Sequence, residues 1–262
     1  MKKKLLILLG IFFAAATTAF ICWIFIPYRS IIAQSSSTPD DVYNRQFAEN
    51  YIVFKTQDGE LLSGWFFRRG KGTELVVCIP GNYCNAGMFA AIAQNDNTRS
   101  YLMLNYRGYG NSTGRLKEAN MVNDVREISR HYASEIQTDK IILLGFSLGT
   151  GVAIQAAARN SEIDKIILVA PFDSMIDMTN VSTIARLILK DHFNSIDYAP
   201  EVKCPVYVIY SEDDKVVFPE RTRRLISQFS RPVVAKKGTG SHTDIISLPE
   251  NVQYIYEALQ AK

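Results

Sequence analysis

By its hydrophobic pattern the chain divides into one uninterrupted apolar run, a short polar stretch and a long body in which strand and helix periods alternate. Leu5 to Ile26 is 22 residues without a charge, enough at a helical rise of about 1.5 Å per residue to cross a hydrocarbon core of about 30 Å. Gln34 to Asp41 is polar and turn-rich, as a short flexible stalk should be. Tyr51 to Lys55 and Leu61 to Phe67, joined through Asp58-Gly59, predict a hairpin. Short apolar runs then predict buried strands at Leu75 to Ile79, Tyr101 to Tyr106, Ile141 to Leu144, Lys165 to Ala170, Val206 to Tyr210 and Pro232 to Ala235. Helical patterns fall between them. They cover Ala86 to Gln94, the face Met121, Val122, Val125, Ile128 and Tyr132, an Ala-rich stretch after Ser147, Pro219 to Phe229, and the C-terminus.

Strands separated by helices imply an α/β fold, a mostly parallel central sheet with helices on both faces. Ligands of such sheets meet the carboxyl ends of the strands. The expected divisions are an anchor over 1–33, a stalk over 34–45 and the main domain over 46–262. Between Pro171 and Pro200 the stripe Met175, Met178, Val181, Ile184, Leu187 and Ile188 reads either as core packing or as a small cap, about 172–200, whose apolar underside receives an acyl chain.

Composition adds little except where charge is located. Hydrophobic residues at 47% and charged ones at 21% are ordinary for a globular chain with a sizeable core. The net charge of +3 resides in the N-terminus, because residues 1–33 hold Lys2, Lys3, Lys4 and Arg29 with no acid. The body is near neutral and carries no basic patch for nucleic acid. The same lysines, with Trp23 and Tyr28 at interfacial positions, make the apolar run a single-pass anchor with its N-terminus cytoplasmic and the body outside. A cleaved signal peptide is the alternative, with small residues at Thr17-Thr18-Ala19 or a cut after Ala33.

The candidate chemistry centres on Gly145-Phe-Ser147-Leu-Gly149, which stands between a strand and a helix. In that context G-x-S-x-G is a nucleophile elbow that lifts the serine hydroxyl above the sheet edge. The backbone N–H of Leu148, at the helix start, is one candidate donor to an oxyanion. The loop Pro80-Gly81-Asn82 after an earlier strand offers the N–H of Asn82 as the second. Of three histidines, His131 falls on a helix and His192 in an irregular stretch, whereas His242 follows the last strand in Gly-Ser-His. Asp213 and Asp214 follow the strand at Val206 to Tyr210. Adjacent side chains in extended backbone point oppositely, so one of the two can face His242. The order serine, acid, histidine suits general-base activation of Ser147. The glycine-punctuated loop from Asn105 to Gly114 reads as structural, with Arg107 tying loops together. Cys22, Cys78, Cys84 and Cys204 read as free thiols, a Cys78 to Cys84 bridge being the alternative. No Cys or His spacing suits a metal.

Taken together, Pro-Gly-Asn82, Tyr106-Arg-Gly-Tyr-Gly110, Gly-Phe-Ser147-Leu-Gly, Ala170-Pro-Phe-Asp-Ser174, Cys204-Pro205 and Gly-Ser-His242 resemble the serine hydrolases of the α/β-hydrolase superfamily. The likeness covers roughly residues 50 to 260 and is nearest the membrane-anchored branch around the serine aminopeptidase and monoacylglycerol lipase-like families. The resemblance implies Ser147 as nucleophile, Asp214 as acid, His242 as base, and backbone oxyanion donors at Asn82 and Leu148. Such families usually have His before the loop glycine where this chain has Pro80, which leaves open how that loop is held. The implied function is cleavage of an ester, thioester or related acyl bond, peptide bonds less so, with no cofactor. The partners are a small-molecule or lipid-like acyl substrate and the membrane. A serine-dependent acyltransferase and a noncatalytic tethered binding protein on the same fold are the alternatives.

Overall fold

The computed structural model describes residues 2–31, 35–36, 38–179, 186 and 191–261. Within it the apolar runs assemble into one eight-stranded sheet of order β1-β2-β4-β3-β5-β6-β7-β8. The strands are β1 (Tyr51–Lys55), β2 (Leu61–Phe67), β3 (Leu75–Ile79), β4 (Ser100–Leu104), β5 (Ile141–Phe146), β6 (Ile163–Val169), β7 (Val206–Ser211) and β8 (Val233–Gly238). The expected hairpin forms with Tyr51 opposite Trp65, and β2 also runs antiparallel to β4. From β4 to β8 every pairing is parallel.

Alternation along each central strand divides the core into two layers. Leu75, Val77, Leu143, Leu168 and Val208 face one cluster, and Val76, Cys78, Leu144, Ile167 and Ile209 the other. The first layer is covered by α4 (Glu118–Ile136), α5 (Leu148–Ala157) and α6 (Pro219–Ile226). The second is covered by α3 (Ala90–Gln94) and α7 (Pro249–Gln260). With both faces covered, β3, β4 and β5 are buried at every position, which is why they read as unbroken apolar runs.

Several boundaries differ from the sequence expectation for local reasons. The helix expected from Ala86 starts as a 3₁₀ turn over Ala86–Phe89, where the Asn85 side chain accepts from Gly87 N at 2.9 Å. The strand expected to reach Tyr106 ends at Leu104 because the chain turns, Tyr109 N donating to Tyr106 O at 2.9 Å.

The stretch expected as a flexible stalk is instead docked on the body. Its helix α2 (Asp40–Phe47) begins at a carboxylate that is 1% exposed. Asp40 accepts from Asn85 Nδ2 at 2.7 Å, Asn105 Nδ2 at 2.9 Å, Tyr51 Oη at 3.1 Å and Asn111 N at 3.2 Å. The cause is chemical: a buried charge must be hydrogen-bonded, and four donors meet it here. Upstream, α1 (Lys2–Ile31) is a continuous helix. Many of its side chains, Leu5, Leu6 and those of 24–31 among them, lie outside the described residues. Among the described residues no helix is long and apolar enough to cross a membrane, so the span expected over Leu5 to Ile26 falls partly outside them. The same holds for the cap stripe. Met175 is buried and Met178 packs on the core, but Val181, Ile184, Leu187 and Ile188 lie outside the described residues.

Arg107 does tie loops together. Its guanidinium pairs with Asp124 at 2.8 and 2.7 Å and with Asp58 at 2.6 and 3.0 Å. The Asp124 side chain is 8% exposed and that of Asp58 58%, so the two pairs differ in worth. Arg107→Met should therefore cost about 3 kcal/mol or more, because it strands a buried carboxylate. Asp58→Asn should cost far less, because that carboxylate is exposed and its pairing is screened by solvent. Urea denaturation of the two variants checks the ranking.

Candidate active site

The turn between β5 and α5 is made possible by two missing side chains. A Cβ on Gly145 would stand 2.6 Å from Gly149 O, and one on Gly149 would stand 2.1 Å from Ile79 O and 2.8 Å from Pro80 O. Helix α5 thus crosses directly over the end of β3. Ser147, between them, is held at φ 49°, ψ −116°, a region that costs a non-glycine residue about 1–3 kcal/mol. Its N–H donates to Val169 O at 2.9 Å, and Thr150 N and Oγ1 donate to its carbonyl at 2.9 and 2.6 Å. These bonds over-determine the strained turn and lift the hydroxyl clear of the sheet edge.

Two loops from other strands reach that hydroxyl. His242, in the loop after β8, lies with Nε2 2.9 Å from Ser147 Oγ and Nδ1 2.7 Å from Asp214 Oδ2. Its ring stacks on Phe146 at 5.4 Å between centroids, inclined by 30°. Asp214, in the loop after β7, is 2% exposed. Its other oxygen, Oδ1, accepts from Val216 N and Val217 N at 2.8 Å each. Those amides fix the carboxylate in one orientation, with Val217 buried beneath it. Asp213 is exposed, and its N–H donates to Ser211 Oγ at 3.1 Å. Between the two adjacent acids, the structure brings Asp214 to the histidine.

The two expected oxyanion donors come from neighbouring backbone. Leu148 is the first residue of α5 and fully buried, with its N–H among the donors that have no partner inside the helix. Gly81 approaches the elbow so closely that a Cβ would stand 3.0 Å from the Phe146 ring. That places the loop carrying Asn82 beside Ser147. Cys84 N closes the loop on Gly81 O at 3.2 Å.

The other histidines stay away from this edge. His131 is exposed on α4 with its ring edge-on to Phe54 at 5.1 Å. It lines an open cleft of about 1020 Å³ with Asp58, Arg107 and Asp124 that includes none of Ser147, Asp214 and His242. His192 lines a second cleft, of about 500 Å³, with Glu118, Gln155 and Tyr198. The cysteines are unbridged, and burial pushes the Cys78 thiol upward and that of Cys204 to about 11, which keeps both protonated. Among the described residues no group of three His, Cys, Asp or Glu side chains could hold a metal ion. The motif Ala170-Pro-Phe-Asp173-Ser is structural. Asp173 is fully buried and receives Arg221 Nη1 on both oxygens at 3.2 Å, which pins the segment after β6 to α6.

Comparison with known proteins finds the same fold. The family model described as the alpha/beta hydrolase fold matches residues 74–199. An uncharacterized protein of Mycobacterium tuberculosis is 32% identical over 206 residues, covering 74% of this chain and 72% of that protein. Alpha/beta hydrolase domain-containing protein 17C of Xenopus tropicalis is 27% identical over 190 residues, covering 70% of this chain and 61% of that protein. Among solved structures, an esterase of Pyrococcus furiosus superposes with a TM-score of 0.65 at 20% identity, over 87% of this chain and 97% of that one.

The elbow's close crossing makes its own prediction. Gly149→Ala must push backbone apart and should cost about 1–3 kcal/mol. Gly151→Ala, whose added methyl meets only side-chain atoms, the nearest at 3.2 Å, should cost less. Thermal unfolding of the two variants checks the difference.

Proposed function

We propose that this chain, whose residues 74–199 match the alpha/beta hydrolase fold model, is a serine hydrolase cleaving an ester, thioester or related acyl bond through an acyl-Ser147 intermediate. The observation that carries the reading is the continuous line from Ser147 Oγ through His242 to Asp214, at 2.9 and 2.7 Å, on a serine with strained backbone. Asp214, held by two amides, keeps the proton of His242 on Nδ1, which leaves Nε2 bare toward Ser147. Nε2 then takes the serine proton as Oγ attacks the acyl carbon and returns it to the leaving group, while Asp214 stabilises the imidazolium. The N–H groups of Asn82 and Leu148 take the negative charge that develops on the acyl oxygen. Water, activated by the same histidine, resolves the acyl-enzyme.

A second part of the proposal concerns location. The uncharged run from Leu5 to Ile26 behind Lys2 to Lys4 is read as a membrane anchor, with the hydrolase domain on the exocytoplasmic side. Support comes from α1 itself, where Ile11, Phe12, Phe13 and Trp23 are 61–76% exposed. A helix that is apolar all round has its natural environment in lipid. The segment of about 172–200 is read as a small cap over the site, and the substrate as a small or lipid-like acyl compound.

A fluorophosphonate probe should label the full-length chain and not Ser147→Ala; equal labelling of both would overturn the nucleophile. Asp214→Asn should lower kcat by about 10² or more, because the ring loses its fixed tautomer. Asp213→Asn should change it less than about fivefold. Steady-state hydrolysis of p-nitrophenyl esters reads both. For location, the protein should remain in carbonate-washed membranes with residue 1 retained and its body open to protease from outside. A soluble product starting near Ala33 would identify a signal peptide instead.

A further inference from the structure

The loop that carries Asn82 leaves β3 at Ile79 and has Tyr83 at φ 64°, so its backbone is not one that the local sequence favours. Two phenols from the loop after β4 grip it. Tyr106 Oη donates to Pro80 O at 2.6 Å. Tyr109 Oη donates to Asn82 Oδ1 at 3.2 Å and accepts from Tyr83 N at 3.2 Å. The two rings pack edge to face at 5.5 Å, inclined by 75°, and both are buried, Tyr109 completely. Burial raises the Tyr109 phenol to about 12 and that of Tyr106 well above its usual value. Both therefore keep their protons and donate throughout the neutral range.

The placement of these bonds is what gives them a role. Peptide units are planar, so a loop is set by the orientation of successive planes. Tyr106 holds the plane of Pro80 and Gly81 by its carbonyl, and Tyr109 holds the plane of Asn82 and Tyr83 by its N–H. The plane between them contains the N–H of Asn82, and its own carbonyl accepts from Cys84 N. With its neighbours fixed on both sides, that N–H has one orientation. A phenylalanine at either position would fill the same volume and hold neither plane.

We propose that Tyr106 and Tyr109 are positioning residues that orient the Asn82 N–H toward the oxyanion. The proposal rests on the reading of Ser147 as nucleophile. It also supplies what Pro80 leaves open, because the loop is held from outside by the phenols.

The test uses the full-length chain, p-nitrophenyl butyrate and an alkylboronic acid, whose tetrahedral adduct on Ser147 puts an oxygen where the oxyanion forms. Tyr109→Phe should lower kcat about tenfold, with KM within about twofold, and weaken the boronic acid by a similar factor. Its melting temperature should stay close to the wild type. Tyr106→Phe, which frees the neighbouring plane, should show the same split at smaller size. Wild-type kcat and boronic acid affinity in Tyr109→Phe would overturn the proposal. So would activity lost only in step with folded protein in both variants, the folded fraction binding the boronic acid normally. Hydrolysis that survives in Ser147→Ala would instead remove the nucleophile reading, a separate outcome.

Discussion

Everything on the edge around Ser147 is referred to one steric constraint, the crossing of α5 over the ends of β3 and β5. The helix can lie there only because Gly145 and Gly149 present no side chain to the backbone beneath them. The crossing forces the residue between into a positive φ, and the turn survives because Ser147 is bonded on both sides of its peptide, to Val169 and from Thr150. A hydroxyl fixed in this way is a reference point for the loops around it. His242 and Asp214 can then be supplied by loops, since each loop needs to be correct only relative to that point.

The elements of that edge were legible in the sequence to the extent that they are local. Strands covered on both faces are apolar along their length, so β3 and β5 announce themselves. The elbow is a five-residue pattern whose glycines have a steric reason. The order of Ser147, Asp214 and His242 follows from which strand ends come next. The choice of Asp214 over Asp213 rested on family spacing in the sequence. In the structure it has a physical basis: Val216 and Val217 amides aim at one carboxylate, while the other faces solvent.

What stayed hidden depends on pairings between distant residues. Composition reads a polar stretch at 34–45 as solvated, and nothing local says that Asp40 meets amides 45 and 65 positions further on. Tyr106 and Tyr109 were visible as members of a glycine-rich loop, but only the fold brings their hydroxyls to Pro80, Asn82 and Tyr83. In both cases the missing information is a tertiary hydrogen bond, which leaves no periodicity to detect.

The docking of Asp40 changes what counts as the folding unit. A form of the chain cut behind residue 46 to release the body would vacate a buried cleft and leave the Asn85 and Asn105 amides without their carboxylate, one beside the Asn82 loop and the other at the base of the loop bearing both tyrosines. The body therefore starts at or before Ser36, whose hydroxyl already accepts from Gly110 N at 3.0 Å. From Ile31 to Ser36 the backbone can reach at most about 18 Å. The edge that carries Ser147 is thus on a short leash to α1, and the same five-residue step bounds how far apart the two can stand.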